Sequence, residues 1–182
     1  MRAQQRCGGA PQDGQIHLAA CHRQLRAQVF GPGAAAHFRL FALVSSARDS
    51  GSGRTEADML TRHLAYWLDV LQALLPHRQP HIEVSVFDSP VLAQRLADTI
   101  RPALTGQAAL LIDKPDRARG RGYYTAFALR ITADQGETEL GDGGLTTWTA
   151  QLTHNAKERC LVSCIATERL TALAEHPAKP TV

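Results

Sequence analysis

Four cations, Lys114, Arg117, Arg119 and Arg121, stand immediately ahead of the pair Tyr123 and Tyr124. An arginine presents a planar fork of donors that matches carboxylate or phosphate oxygens, so such a loop can hold an anion or a nucleotide. The same loop can also be a solvated charged segment or a contact to RNA. Tyr123 and Tyr124 alternate faces on a strand-like run, so at least one packs and the other is open to a ligand. Gly143-Gly144 fits either a bulge or turn, or a close backbone approach to a ligand. Arg169 can bind an anion, pair with Glu168 or Glu175, or cap nearby carbonyls. Trp148 can stack on a ligand or pack. Ser45-Ser46 lacks the Gly-x-Ser-x-Gly setting of a hydrolase nucleophile. His63 lies within an apolar helical stripe and reads as a core histidine, and no metal site is indicated.

The whole-chain totals bound these options. With 182 residues, 44% hydrophobic and 20% charged, the chain can build one globular core. A net charge of +3 permits contact with nucleic acid without arguing for it. Cys7, Cys21, Cys160 and Cys164 form no CxxC pairs, which suits reduced thiols rather than a metal finger or disulfide frame. No apolar run reaches the length of about 18 residues that spans a bilayer. The basic N-terminus has no apolar stretch behind it, so no signal peptide is expected and a cytoplasmic location follows.

The elements that must position these residues can be read from periodicity. Residues 1–15 are polar and glycine-rich and read as a loose tail. Residues 16–30 mix apolar and basic types, and Gly31-Pro32-Gly33 signals a turn. Phe38, Leu40, Ala42 and Val44 alternate with Phe41 and Leu43, the pattern of a strand covered on both sides. Thr55 fits an N-cap for a helix whose apolar stripe runs from Met59 to Leu75 and stops at Pro76, with Trp67 in the core. Ile82, Val84 and Val86 alternate with Glu83, Ser85 and Phe87 in a second strand. Ser89-Pro90 opens another helix, with Leu92, Leu96 and Ile100 inward, closed by Pro102 and Gly106. Strands are expected at residues 123–131, 138–145 and 160–166, adjacent to one another, and a last helix begins near Thr167 and frays before Pro177. The order gives a mixed α/β (α+β) layer with a largely antiparallel sheet.

Three segments, in order and spacing, resemble the histidyl-tRNA synthetase catalytic core. Arg119-Gly120-Arg121-Gly122-Tyr123-Tyr124-Thr125-Ala126 is similar to that family's histidine-binding signature Arg-Gly-Leu-Asp-Tyr-Tyr-Thr-Gly. Gly141-Asp142-Gly143-Gly144 resembles its glycine-rich strand end. Cys164-Ile165-Ala166-Thr167-Glu168-Arg169-Leu170 resembles class II motif 3. Residues 38–47 followed by Glu56-Ala57-Asp58 resemble the second motif 2 strand and the helix start after it. The resemblance covers residues 36–175, and nothing looks like motif 1, so the core is expected to be incomplete at its N-terminus.

The resemblance implies an antiparallel class II sheet flanked by helices. In that family a carboxylate attacks the α-phosphate of ATP, which needs positive charge at the reacting phosphorus. By resemblance Arg119 is the catalytic residue. Arg169, Gly143 and Gly144 bind the cofactor, ATP with Mg, and Tyr123 and Tyr124 line the substrate pocket. The departures are Gly122 for an aspartate, Ala126 for a glycine, Leu145-Thr146-Thr147 for Arg-Tyr-Asp, Cys164 and Ala166 for the motif 3 glycines, and Leu40 and Val44 for a glutamine and a glutamate. A hydrogen-bonded histidine pocket that loses these partners loses its selectivity.

The expected organisation is a poorly defined segment over residues 1–35, a class II synthetase-like core fragment over 36–176, and a tail over 177–182. The expected function is that of a non-aminoacylating paralogue that binds a small ligand or nucleotide, akin to the regulatory subunit of ATP phosphoribosyltransferase. Two alternatives stand beside it: an ATP-dependent amino-acid-activating ligase, and a truncated interaction module without catalysis. The expected partners are an amino acid or nucleotide, a second copy or partner subunit, possible RNA and no membrane.

Overall fold

Residues 14–25 and 37–175 are described by the computed structural model. Most of the loose tail expected over residues 1–15, the tail over 177–182 and the turn at Gly31-Pro32-Gly33 lie outside them. Seven strands form one sheet in the order β1-β2-β7-β6-β5-β3-β4. The strands are β1 (Gln15–Leu25), β2 (His37–Arg48), β3 (His81–Val86), β4 (Leu111–Asp113), β5 (Thr125–Ala133), β6 (Thr138–Thr146) and β7 (Glu158–Ala166). Neighbours run antiparallel except β3 and β4. The three C-terminal strands β5, β6 and β7 are adjacent, as their alternation and the resemblance predict.

Alternation divides the sheet into two faces. One face is the core. Phe127, Leu129 and Ile131 of β5, Ile82 and Val84 of β3, and Leu161 and Ile165 of β7 are buried there, and Phe41 and Leu43 of β2 pack against them. The helical stripe predicted from Met59 onward is α1 (Arg54–Leu74), which buries Met59, Leu60, Leu64, Trp67, Leu68 and Leu71. α2 (Pro90–Arg95) adds Leu92, and the chain then widens into a π-turn (Leu96–Ile100) before α3 (Arg101–Ala103). The wider turn precedes Pro102, which has no N–H to give an α-helical bond. Ser89 caps α2 by accepting from the Leu92 N–H at 3.4 Å, and Pro90 takes the first turn. α5 (Thr167–Glu175) closes the described chain, with Leu170 buried.

Several local expectations are corrected. Thr55 is not the N-cap of α1; Gly53, at φ 66°, takes that place. The Thr55 hydroxyl instead accepts from the Ser50 N–H at 2.9 Å and donates to the Arg48 carbonyl at 3.2 Å, clipping the loop after β2. Tyr123 and Tyr124 precede β5 rather than belonging to it. The helix after Ser89 runs through Pro102 to Ala103. The open face of β2 is only partly covered. β1, β4 and α4 (Trp148–Thr153) were not anticipated. β1 is an edge strand exposed along most of its length, so no apolar alternation marks it.

Polar side chains also join the layers. The Trp67 indole donates to the Ser163 hydroxyl at 2.7 Å, and Ser163 lies 2.8 Å from His63 Nδ1. His63 Nε2 lies 2.8 Å from the Ser45 hydroxyl, which lies 2.7 Å from His17 Nδ1. Every hydrogen is used if Ser163 donates to His63 Nδ1, His63 Nε2–H donates to Ser45, and Ser45 donates to His17. His63 is therefore the satisfied core histidine that the sequence suggests, and it is neutral. Burial, and secondarily the neighbouring His17, lowers its pKa from 6.5 to about 4.

Two predictions follow from this packing. The unfolded chain binds a proton at His63 below pH 6.5 that the folded chain refuses until about pH 4. Stability is therefore complete above pH 6.5 and falls as pH drops towards 4. Urea unfolding should show a loss of about 2 kcal/mol between pH 7.5 and pH 5, absent in His63→Leu. The second concerns β6. A Cβ on Gly141 would collide with the Cys164 carbonyl of β7, and one on Gly143 would come within 2.5 Å of the Val162 carbonyl. Gly141→Ala should cost about 3 kcal/mol in the same assay by forcing β6 and β7 apart.

Candidate functional site

The second face of the sheet holds the residues that could do chemistry. Strand register places two rows across it. Glu83, Arg130, Asp142, Cys164, Ala42 and Ala20 stand side by side in one row. Ser85, Ala128, Gly144, Val162, Val44 and Leu18 form the next. The first row begins as acid, base, acid and ends in small apolar residues. Leu40 and Val44 lie on this face, so the β2 positions aligned with a glutamine and a glutamate present hydrocarbon here.

The loop between β4 and β5 folds over this face. It is tied down by the Lys114 N–H, which donates to the Val84 carbonyl at 2.8 Å, and by the Ser85 hydroxyl, which donates to the Lys114 carbonyl at 2.7 Å. The Arg121 guanidinium stacks 4.6 Å above the Phe87 ring. Tyr124 is buried with Phe87, Ala128 and Val162. Its ring occupies the space that Gly144 leaves open, since a Cβ there would come within 2.6 Å of the ring. Burial first, then the charge of the nearby Asp142 carboxylate, pushes the Tyr124 phenol above its usual range. Tyr124 is thus a donor held protonated.

The Tyr123 ring meets the Tyr124 ring edge-on at 4.8 Å and Trp148 at 6.0 Å. Tyr123 and Trp148 remain 53% and 42% exposed, which leaves ring surface for a ligand. The two tyrosines therefore divide as expected, one packed and one open. Gly143 and Gly144 make room for protein atoms: Gly143 for Val162 and Ser163 of β7, Gly144 for Tyr124.

The arginines are placed unevenly. The Arg119 side chain is 68% exposed, and its Nη1 donates to both Glu139 carboxylate oxygens, at 3.0 and 2.9 Å. Arg169 Nη1 donates to the Glu139 carbonyl. The two arginines expected at the site thus converge on one residue, on its side chain and its backbone respectively. Glu168 beside Arg169 accepts from the Arg39 N–H at 2.7 Å and fixes the start of α5 to β2. Arg130 bridges the acids, donating to Glu139 at 3.0 Å and to Glu83 at 3.0 Å.

A cavity of about 540 Å³ opens among Glu83, Lys114, Arg117, Arg119, Arg130 and Glu139. Glu83, Arg130, Glu139 and Asp142 were not singled out from sequence as site residues. The available signal was a charged residue in the middle of an apolar strand, Arg130 in β5 and Glu83 opposite the apolar side of β3. Among the described residues no group of three or more His, Cys, Asp or Glu side chains is placed to hold a metal ion. None of the described helices is long and apolar enough to cross a membrane.

No family of known sequences matches the chain, and no curated protein does. Solved structures do match in shape. Apo histidyl-tRNA synthetase from S. aureus superposes with a TM-score of 0.62 at 16% identity, over 92% of this chain and 46% of that one. An ATP phosphoribosyltransferase regulatory subunit/histidyl-tRNA synthetase from Bacillus halodurans C gives 0.61 at 9% identity, over 88% and 59%. A putative threonyl-tRNA synthetase from Aeropyrum pernix gives 0.58 at 11%, over 89% and 41%. The chain thus spans about half the length of these proteins. A seven-stranded sheet with helices on its core face, superposing at this level on these structures, gives the chain a histidyl-tRNA synthetase-like fold.

Proposed function

We propose that this chain is a synthetase-like domain that binds a small ligand on its open face and does not charge tRNA with histidine. The observation that carries this reading is the floor of that face. Next to Asp142 it presents Cys164, Ala42 and Ala20, flanked by Leu40, Val44 and Val162. A pocket that selects an imidazole by hydrogen bonds needs donors and acceptors at such positions, and hydrocarbon supplies none. Tyr124, Asp142 and the exposed ring of Tyr123 give this face a partly apolar surface with a few polar groups, and a cavity of about 540 Å³ opens among the charged side chains beside them, the usual make-up of a small-molecule site.

The residues fit ATP with Mg poorly. Glu139 already neutralises Arg119 and Arg130, and Glu83 is shared by Arg130, His81 and Lys114. A triphosphate would have to displace these pairs beside the Asp142 carboxylate, and a Mg ion would find its carboxylate ligands engaged. A single oxyanion asks for less. The regulatory subunit among the similar structures supports a role beside a partner rather than as a free-standing ligase.

The competing reading is an adenylate-forming ligase, favoured by the meeting of Arg119 and Arg169 at Glu139. It requires ATP–pyrophosphate exchange with some amino acid, and a loss of about 1.5–3 kcal/mol in nucleotide binding on Arg169→Ala. The expected results for the purified chain are no histidyl-tRNA formation, no exchange with any of the standard amino acids, and a calorimetric binding signal for at least one small ligand that Arg169→Ala leaves unchanged. Histidine-dependent charging would overturn the reading.

A further inference from the structure

We infer that Arg117, rather than Arg119, is the residue through which the open face holds the oxyanion of its ligand. The inference rests on the reading of that face as a ligand site. Arg119 is solvated and its charge is matched at 2.9 Å by Glu139. Arg130 is matched twice, at 3.0 Å, by Glu83 and Glu139. Arg117 differs from both. Its side chain is only 9% exposed, and the one carboxylate that pairs with it among the described residues, Asp142, stands 3.9 Å from Nη2. Nε donates to the Arg119 carbonyl at 2.8 Å, which fixes the plane of the guanidinium. Nη1 is buried with no acceptor. A guanidinium cannot shed its proton to escape that cost, so the pairing of Arg117 inside the protein is incomplete.

The backbone is shaped around this group. Gly120 adopts φ +88°, and a Cβ there would come within 2.9 Å of the Tyr124 ring and 3.7 Å of Arg117 Nη2. Arg117 and Tyr124 therefore close on Gly120 together, and Arg117 Nη2 comes to 3.9 Å from the Asp142 carboxylate. Arg117 also lines the cavity of about 540 Å³. The position that carries the signature arginine by alignment thus points to solvent and Glu139. The arginine two residues earlier lies against the sheet. Asp142 is the internal carboxylate that partly balances Arg117 when no ligand oxyanion does so. A ligand carboxylate or phosphate that reaches the guanidinium from the cavity meets a planar fork, the geometry in which arginine binds oxyanions best.

The test is calorimetric titration of the full chain with each standard amino acid, as a carboxylate source, and with inorganic pyrophosphate, as a phosphate source. The probe that binds identifies which oxyanion the site takes. Arg117→Met should weaken that probe about tenfold or more, the loss expected for a charge-assisted contact. Arg117→Lys keeps the charge and the stem but not the fork. It should weaken the probe several-fold, and it carries the test if the methionine variant does not fold. Undiminished binding in Arg117→Lys and Arg117→Met, or a tenfold loss confined to Arg119→Met, overturns the inference while leaving the open face a ligand site. Failure of the wild-type chain to bind any of these probes overturns the inference and the ligand-site reading together.

Discussion

The absence of side chains at Gly141, Gly143 and Gly144 governs both faces of the sheet. β6 lies between β5 and β7, so its spacing to each sets the centre of the sheet. On the core face, Gly143 leaves space for Ser163, which then receives the Trp67 indole and meets His63. On the other face, Gly144 leaves space for the Tyr124 ring. Asp142 stands between them, on the open side, paired across the strands with Arg130 and Cys164. One short run of small residues thus lets a polar cluster seal the helix layer and lets an aromatic ring settle over the ligand face. The cost is entropic, since glycine is the residue least disposed to remain in a strand.

The charges of the open face are arranged by the same register. Acid and base alternate from Glu83 through Arg130 to Asp142, and Glu139 gathers Arg119 and Arg130 at the margin. Partly buried arginines matched in this way act as structure more than as receptors, because moving them would orphan a carboxylate in a low-dielectric setting. The exception is Arg117, packed against the sheet with one donor unmatched. Function is to be sought where the pairing is incomplete, and in this fold that place is the loop lying over Asp142.

Similarity of fold to histidyl-tRNA synthetases carries the scaffold and leaves the chemistry open. The scaffold offers an antiparallel sheet with helices on one side and a free surface on the other. What that surface binds depends on a few side chains, and here Leu40, Val44 and Cys164 offer it hydrocarbon and a thiol. Asp142, facing Arg117, is the polar centre that remains.

Local chain chemistry determined much of this in advance. The helical stripe of α1, the alternation of β3, β5 and β7, the Ser89-Pro90 helix start and the core setting of His63 are set within a few residues and could be read directly. The segments resembling the synthetase core were legible for the same reason, and they placed Tyr123, Tyr124, Arg119 and Arg169 near one strand cluster. The solvent-exposed β1 could not be read, because a strand at an edge needs no apolar period. Nor could the uses of the glycines, or the choice between Arg117 and Arg119. Those depend on which strands lie next to one another: Asp142 reaches Arg117 across 25 positions, and Glu83 reaches Arg130 across 47. Burial of a charge is a property of the assembled face, set by pairing register and by a loop that closes over it. Only the tertiary structure decides which of several neighbouring arginines is left with an unmatched donor.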